Sequence, residues 1–362
     1  MAQQCGGPSM EGNTMHFGLI QNYSSDIHEI ADAVETYEAA GLDTIAVAEA
    51  YSFDAVSRLG YLAAKTTRIG LMSNIFQLYT RTPSLTAMTA ASLDSLAGGG
   101  FTLGLGASGP QVIEGFHGVK YDAPLGRTRE IVDICRQVWR RDPVVHDGRH
   151  YSVPLSREQG GTGMGKPLKL INTPERTNIP ISIAALGSKS VAQVAEIAEG
   201  WQPIFYDPNR ADRVWGESLE QGLSRRDPQL GTLQIQVQVF FAFGDPSPKA
   251  LMAVRAQLAL YIGGMGAKGK NFYNDIAVRY GYEAEAAEIQ ELYLSGRQAE
   301  AIAAVPDELL YGVALFGDGE ELKRRIAAFE AAGVTTLLLA PVADTPEQRL
   351  NDVTSLLDLV RD

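Results

Sequence analysis

Short apolar runs alternate with amphipathic segments through most of the chain, at a spacing typical of parallel β-strands joined by helices. In the first half, strands are predicted at residues 16–20, 44–48, 69–74 and 101–105. The run at 101–105 leaves almost no polar face, which indicates a strand that is buried on both sides. The pattern therefore favours an α/β fold built on a parallel sheet.

The second half repeats this rhythm, with strands predicted at residues 181–184, 201–205, 233–242 and 335–340. Eight strands with helices between them close as a (β/α)8 TIM barrel better than they lie in an open sheet. We expect a single domain over residues 15–362 with insertions near 143–170 and 263–310, the second of which opens with a flexible loop at 263–271. Residues 1–14 are small, polar and Gly-rich, so we expect a disordered leader there.

Composition narrows the partners that such a fold would have. The 362 residues carry a formal net charge of -12 and form no basic stripe, so we expect no nucleic-acid partner. No apolar run approaches the roughly 18 residues of a membrane span, so we expect no membrane partner and a cytoplasmic location. The five histidines and two cysteines lack the spacing of a metal site, so we expect no metal.

A TIM barrel collects the C-terminal ends of its strands at one face, and active sites lie there. At this face the strand at 181–184 continues through Ala185, Leu186 and Gly187 directly into a helix that begins near Ser188. Backbone N–H groups and the helix dipole then predict an anion site that needs no basic side chain. The alternative is a plain helix start, with Ser188 as the N-cap.

The end of the fourth strand is rich in small residues. Gly104, Gly106 and Gly109 remove side chains around Ala107 and Ser108, so that a flat or charged group can approach the backbone. The glycine spacing resembles a dinucleotide fingerprint only weakly, because no acidic residue ends a following strand about 20 residues on.

The second strand ends at the one carboxylate of this face, Glu49, with the phenol of Tyr51 close behind it. An uncompensated carboxylate at the end of a buried strand is a candidate for acid–base chemistry, since partial burial raises its pKa. The alternative is that Glu49 caps the helix that follows.

Four segments strongly resemble the bacterial luciferase-like family. They are LYTRTP at 78–83, SLAGGGFTLGLGASGPQVIEGFHG at 95–118, AALGSKSVAQVAEIAEGW at 184–201 and GVTTLLLAPV at 333–342. Within that family the chain is most similar to the branch that uses the deazaflavin coenzyme F420, which includes methylenetetrahydromethanopterin reductase. The similarity covers residues 16–360.

The resemblance implies a TIM barrel with a non-prolyl cis peptide between Asn74 and Ile75, beside which the deazaflavin ring lies. It implies that Ser108 and Gly109 lie at the pyrimidine end of the ring and that backbone after the fifth strand holds the phosphate. It also implies a homodimer or higher homo-oligomer. The cofactor-binding residues are then Asn74, Ile75, Ala107, Ser108, Gly109, Ala185, Leu186, Gly187 and Ser188.

One position departs from the family pattern. Members often carry Asp-His after the second strand, where this chain has Glu49-Ala50, so the imidazole is missing. Glu49 is left as the candidate acid, with Tyr51 as its helper.

The resemblance implies an F420-dependent oxidoreductase that transfers a hydride between C5 of the coenzyme and a small carbonyl, imine or activated alkene. Two alternatives stay open. One is an FMN-dependent luciferase-like monooxygenase, and the other is a non-catalytic F420-binding protein.

Overall fold

The structure is a computed structural model that describes residues 15–23, 25–266, 269 and 271–361. The leader predicted at residues 1–14 lies outside the described residues. So do residues 267, 268 and 270 of the predicted loop.

A closed barrel of parallel strands forms the centre of the molecule. Eight strands pair side by side in the order β1, β2, β3, β5, β8, β9, β10 and β12, and β12 pairs back onto β1. The predicted TIM barrel is therefore confirmed. The strands of the described residues are β1 (His16–Gln21), β2 (Thr44–Val47), β3 (Gly70–Ser73), β4 (Phe76–Gln77), β5 (Phe101–Gly106), β6 (His146–Asp147), β7 (Ser152–Val153), β8 (Ile181–Ala184), β9 (Gly200–Gln202), β10 (Gln234–Phe243), β11 (Ala314–Gly317) and β12 (Thr336–Pro341).

Helices surround the barrel and fill the second insertion. Those of the described residues are α1 (Ile27–Ala40), α2 (Ala55–Ala63), α3 (Pro83–Leu96), α4 (Pro110–Ile113), α5 (Pro124–Trp139), α6 (Ser188–Ile197), α7 (Ala211–Leu223), α8 (Pro248–Ala259), α9 (Phe272–Arg279), α10 (Glu283–Leu294), α11 (Gln298–Ala303), α12 (Asp307–Gly312), α13 (Gly319–Ala331) and α14 (Pro346–Leu359). A 3₁₀ turn covers Pro228–Leu230, and a π-helix covers Leu260–Gly264.

The strands bury both faces, as the apolar runs predicted. The outer faces, with side chains such as Ile45, Leu71 and Leu103, belong to the main core and are fully buried. Each such side chain contributes about 1.5–3 kcal/mol to folding. A second, smaller cluster fills the inside of the barrel with Ile20, Ala46, Met72 and Leu338.

The predicted loop at 263–271 is wrong at its start, because Gly263 and Gly264 belong to the π-helix that continues α8. Both glycines pack against Tyr293 of α10, and a Cβ atom at position 263 would lie 2.5 Å from the Tyr293 Cβ. The glycines thus serve close helix packing here rather than chain flexibility.

Among the described residues, no helix has both the length and the apolar character needed to cross a membrane.

Candidate active site

Three backbone segments expected to bind a cofactor follow β3, β5 and β8, which are neighbours in the barrel. Asn74 and Ile75 follow β3, Ala107 begins the segment after β5, and Ala185 begins the one after β8. Because parallel strands end at the same face, the barrel brings all three together. That these residues bind a cofactor stays a prediction.

The segment after β3 contains a cis peptide bond between Asn74 and Ile75, as the resemblance implied. The Ile75 side chain lies against the backbone of β5, where a Cβ atom at Gly106 would be only 2.8 Å from its Cγ1 and Cδ1 atoms. Only glycine at position 106 leaves room for this packing.

A second close approach fixes β5 against β3. The Ser73 hydroxyl donates to the Gly104 carbonyl oxygen at 2.9 Å and accepts from the Gly104 N–H at 2.8 Å. A Cβ atom at position 104 would overlap the Ser73 carbonyl oxygen and lie 2.8 Å from its carbon. The glycines of this strand therefore serve backbone contact first.

The segment after β5 exposes its backbone. Ser108 is exposed and has a φ of 57°, in the left-handed region that non-glycine residues rarely adopt. The Tyr121 hydroxyl donates to the Ser108 carbonyl oxygen at 3.4 Å. At Gly109, no atom of the described residues, apart from Gly109 and its two chain neighbours, lies within 4 Å of the Cβ position. A flat group has open access to this backbone.

Two buried amide oxygens border these strand ends. Gln77 lies beside Gly106 in register, and Gln202 lies beside Ala184. The Oε1 atoms of both side chains are buried and accept no hydrogen bond from the described residues. Buried acceptors normally have partners, so a ligand that carries N–H groups would suit them.

The helix after β8 begins without a side-chain cap. The N-cap is Gly187, its neighbour Ser188 is the first helical residue, and no side chain of the described residues caps the helix. The alternative of Ser188 as the N-cap is therefore wrong, because the chain enters the helix one residue earlier than that alternative required. The free N–H groups and the helix dipole favour an anion at this end.

A cavity of about 410 Å³ opens at this helix end. The charged residues that line the cavity are Arg279 and Asp275, and the Arg279 guanidinium also donates to the Val214 carbonyl oxygen of α7. The remaining lining residues are Leu186, Gly187, Ser188, Phe272, Ile276 and Val278. The sequence indicated an anion site without a basic side chain, and it missed Arg279 because α9 lies far along the chain.

Glu49 is not the uncompensated carboxylate that the sequence indicated. Arg81 donates to both of its oxygens, at 2.6 and 2.9 Å, and the Ala55 N–H donates at 3.0 Å. The side chains of Glu49 and Arg81 are only 9% and 11% exposed. The capping alternative is partly right, since Glu49 receives an N–H at the start of α2 while Asp54 is the N-cap.

Arg81, the partner of Glu49, makes further contacts of its own. Arg81 also donates to Asp54 at 3.1 Å, and its guanidinium lies 4.4 Å from the centre of the Phe76 ring. Burial works against the charge of Arg81, but the hydrogen bonds and charges of the two carboxylates raise its pKa above the ordinary value. This geometry suits a positioning role for Glu49.

Aromatic side chains stand around the mouth of the barrel. Tyr51 is 65% exposed, and its ring centre lies 6.1 Å from that of Phe116. Phe205, which follows β9, packs with Tyr261 of the π-helix and Tyr273 of α9. Sequence reasoning did not single out the last two residues, although residues 261–282 are visibly rich in tyrosine.

Comparison with known proteins gives a consistent picture. The sequence model of the family described as luciferase-like monooxygenase matches residues 12–336. A Mycobacterium tuberculosis protein, provisionally named a coenzyme F420-dependent oxidoreductase, is 42% identical over 90% of this chain and 94% of its own length.

Two solved structures share the fold. The F420-dependent tetrahydromethanopterin reductase of Methanopyrus kandleri aligns with a TM-score of 0.77 at 20% identity, over 94% of this chain and 97% of its own. An F420-dependent secondary alcohol dehydrogenase, bound to an F420–acetone adduct, aligns with a TM-score of 0.72 at 17% identity, over 96% and 100%. At these identities the likeness establishes the barrel and its topology.

Proposed function

Since the chain belongs to the luciferase-like monooxygenase family, we propose that it is an oxidoreductase that uses coenzyme F420. It transfers a hydride between C5 of the deazaflavin and a carbonyl, imine or activated alkene of a small organic substrate. The observation that carries the proposal is the anion cavity at the start of α6, beside the open strand ends of β3 and β5. The F420-dependent name of the 42% identical relative supports the choice of coenzyme.

The residues present fit this coenzyme, which combines a flat ring system with a phosphate and an anionic tail. Open backbone at Ser108 and Gly109 accommodates a flat ring, and the unpartnered Gln77 amide oxygen lies beside the same strand end. The uncapped start of α6 and the Arg279 guanidinium favour a phosphate. Groups that suit the ring and groups that suit the phosphate thus follow two neighbouring strands, β5 and β8.

Each predicted residue then has a role in binding or orientation. Backbone N–H groups at Gly187 and Ser188 hold the phosphate, while Ile75 and Ser108 border the ring. When bound, the coenzyme supplies the hydride chemistry, and the chain supplies orientation and electrostatics. Glu49 fixes Arg81 and the start of α2, and Tyr51 faces the open mouth. The role of Glu49 as an acid stays a prediction.

FMN-dependent oxygen chemistry is the second candidate. FMN also carries a flat tricyclic ring and a phosphate, and the description of the matched family names monooxygenases.

The proposal also includes three predictions from the sequence. These are a single domain, a cytoplasmic location and a homo-oligomer.

A side-by-side titration with oxidised F420 and FMN tests the choice of cofactor. Binding is monitored by fluorescence quenching. We expect micromolar or tighter binding of F420 and little binding of FMN. Preference for FMN would overturn the F420 assignment and favour the monooxygenase. Binding of neither would refute both. F420 binding without turnover of any substrate would favour the non-catalytic alternative.

The anion cavity has its own matched variants. Arg279→Gln removes the cavity's guanidinium, and we expect F420 affinity to fall about tenfold, as for loss of one charged hydrogen bond. Arg213→Gln on α7 removes an exposed guanidinium outside the cavity and should leave affinity unchanged. Equal affinity for both variants would place the phosphate elsewhere.

A further inference from the structure

A wall of three aromatic rings borders the barrel mouth on the side of the second insertion. Its members, Phe205, Tyr261 and Tyr273, form the aromatic wall. The ring centres of Tyr261 and Tyr273 lie 4.7 Å apart, and that of Phe205 lies 5.3 and 6.1 Å from them. All three pairs meet edge to face, which is a favourable geometry for aromatic rings.

One buried side chain positions both tyrosines of the wall. Asn271 is 2% exposed, and its amide nitrogen donates to the carbonyl oxygens of Tyr261 and Ile262 at 2.8 and 2.9 Å. Its amide oxygen accepts from the N–H groups of Tyr273 and Asn274. Asn271 therefore joins the π-helix to the start of α9. Single π turns of this kind occur frequently at functional sites.

A second buried side chain fixes Phe205. This residue has a φ of 54°, in the left-handed region. The Tyr280 hydroxyl, at the end of α9, donates to the Phe205 carbonyl oxygen at 2.8 Å and accepts from the Asp207 N–H at 3.0 Å. An uncommon backbone conformation is thus held in place by a residue that is itself 1% exposed.

Two further tyrosines, Tyr23 and Tyr51, lie near enough to the wall to raise the pKa of Tyr261. Tyr23 follows β1 and is 42% exposed, and burial of its hydroxyl by surrounding atoms raises the pKa of that group. Burial also raises the pKa of Tyr261, and the nearby Tyr23, Tyr273 and Tyr51 raise it further. Burial raises the pKa of Tyr273 to about 12, with smaller contributions from Tyr23 and Tyr121.

The electrostatic neighbours of these phenols are other phenols. The groups that influence the pKa values of Tyr23, Tyr261 and Tyr273 are all tyrosines. By contrast, charged groups act on Tyr282, which lies outside the wall. Burial, Glu308 and Asp207 raise the pKa of its hydroxyl, and Arg210 lowers it. Among the described residues, no Lys or Arg lies over the rings of Phe205, Tyr261 or Tyr273. The part of the wall that these residues form is therefore aromatic, with hydroxyl groups as its polar atoms.

The wall adjoins the region assigned to the cofactor. Tyr121 lies near enough to Tyr273 to raise its pKa, and the Tyr121 hydroxyl donates to the Ser108 carbonyl oxygen. Helix α9 carries Tyr273 in the wall and Arg279 in the anion cavity. A molecule in front of the wall thus lies between elements that also border the proposed coenzyme.

We propose that the aromatic wall, with Tyr23 and Tyr51, is the substrate chamber, and that it takes neutral ring compounds carrying a carbonyl or hydroxyl oxygen. The hydroxyl groups of Tyr23 and Tyr261 bind that oxygen, and the ring of Tyr273, against which the buried Phe205 packs, lies on the hydrocarbon. In the part of the chain that the structure describes, no Lys or Arg lies over the rings of the wall, so an anionic substrate gains no ion pair from them. Binding of such a compound does not require the proposed function. Only the conversion of the bound compound rests on that function.

The test uses two probes of matched size, acetophenone and benzoate, with ligand-observed NMR on the full chain. Binding is measured with and without oxidised F420. We expect acetophenone to bind at least tenfold more tightly than benzoate. Tyr261→Phe and Tyr23→Phe should each weaken acetophenone binding about tenfold, since each removes one hydroxyl and keeps the ring.

Tyr282→Phe is the matched control, because it removes a buried hydroxyl outside the chamber that has no partner in the described residues. We expect it to bind acetophenone as the unaltered chain does. Equal affinity for benzoate, or unchanged acetophenone binding in both chamber variants, would overturn the chamber. If acetophenone binds as expected while F420 does not, only the proposed function fails.

Discussion

The two sides of the barrel mouth are built in different ways. The side assigned to the cofactor consists of backbone, in which Ile75 lies on Gly106 and the start of α6 is left uncapped. The adjoining side, after β9, consists of side chains, namely the aromatic wall that Asn271 and Tyr280 hold in place. A backbone surface suits a constant partner such as a coenzyme, whereas side chains can change with the substrate.

The largest effect is expected from adding one methyl group to the backbone side. In Gly104→Ala the new Cβ would overlap the Ser73 carbonyl oxygen and push β3 away from β5. We expect a loss of about 3 kcal/mol or more in the free energy of unfolding, measured by urea denaturation. A loss below about 1 kcal/mol would show that the two strands adjust to each other easily.

Gly109→Ala provides the matched control for that variant. Its Cβ would have open space, and its φ of -124° suits any residue. We expect a change in stability within about 0.5 kcal/mol. Affinity for F420 should nevertheless fall, because the methyl group fills space reserved for the ring. Unchanged affinity would move the ring away from this segment.

Next in size is the loss of the side chain that supports the aromatic wall. Asn271→Ala removes the N-cap of α9 and leaves the Tyr261 and Ile262 carbonyl groups without their donor. We expect a cost of about 2–3 kcal/mol in urea denaturation, with faster amide exchange at residues 260–264.

Asn271→Asp separates the two functions of this side chain. The carboxylate keeps the acceptor that caps α9 but loses the donor to the π-helix. We expect α9 to keep its exchange protection while the π-helix loses it. Loss of protection throughout α9 would mean that the two elements form one cooperative unit.

The same contrast explains how much of the molecule was predictable from sequence. The eight barrel strands were predicted because buried parallel strands are continuous apolar runs, and the residues after them follow from strand position alone. The cis peptide at Asn74 was expected only from the resemblance, since no local pattern specifies it. Predictions that depend on backbone position thus succeeded best.

Contacts between distant side chains were not predictable in this way. Arg81 reaches Glu49 across 32 positions, and nothing around Glu49 in the sequence signals a cation. Tyr261 and Tyr273 come from an insertion, where apolar periodicity predicts helices but not the surface on which they dock. The glycines at 263 and 264 indicated a loop because their contact with Tyr293 is long-range.

The smallest expected effect decides what Glu49 does. Glu49→Gln keeps the size of the side chain but removes the charge that faces Arg81, while Asp54 still contacts the guanidinium. We expect a loss of about 1–2 kcal/mol in urea denaturation, less than the 3–5 kcal/mol typical of breaking a fully buried pair.

A double-mutant cycle with Arg81→Gln separates a positioning role from an acid role. If Glu49 acts through Arg81, the double variant should be hardly less stable than either single variant, with a coupling of about 1–2 kcal/mol. F420 affinity should then fall equally in all three variants, because each releases the start of α2. Additive losses in stability, together with unchanged affinity and abolished turnover in Glu49→Gln alone, would restore Glu49 as the acid.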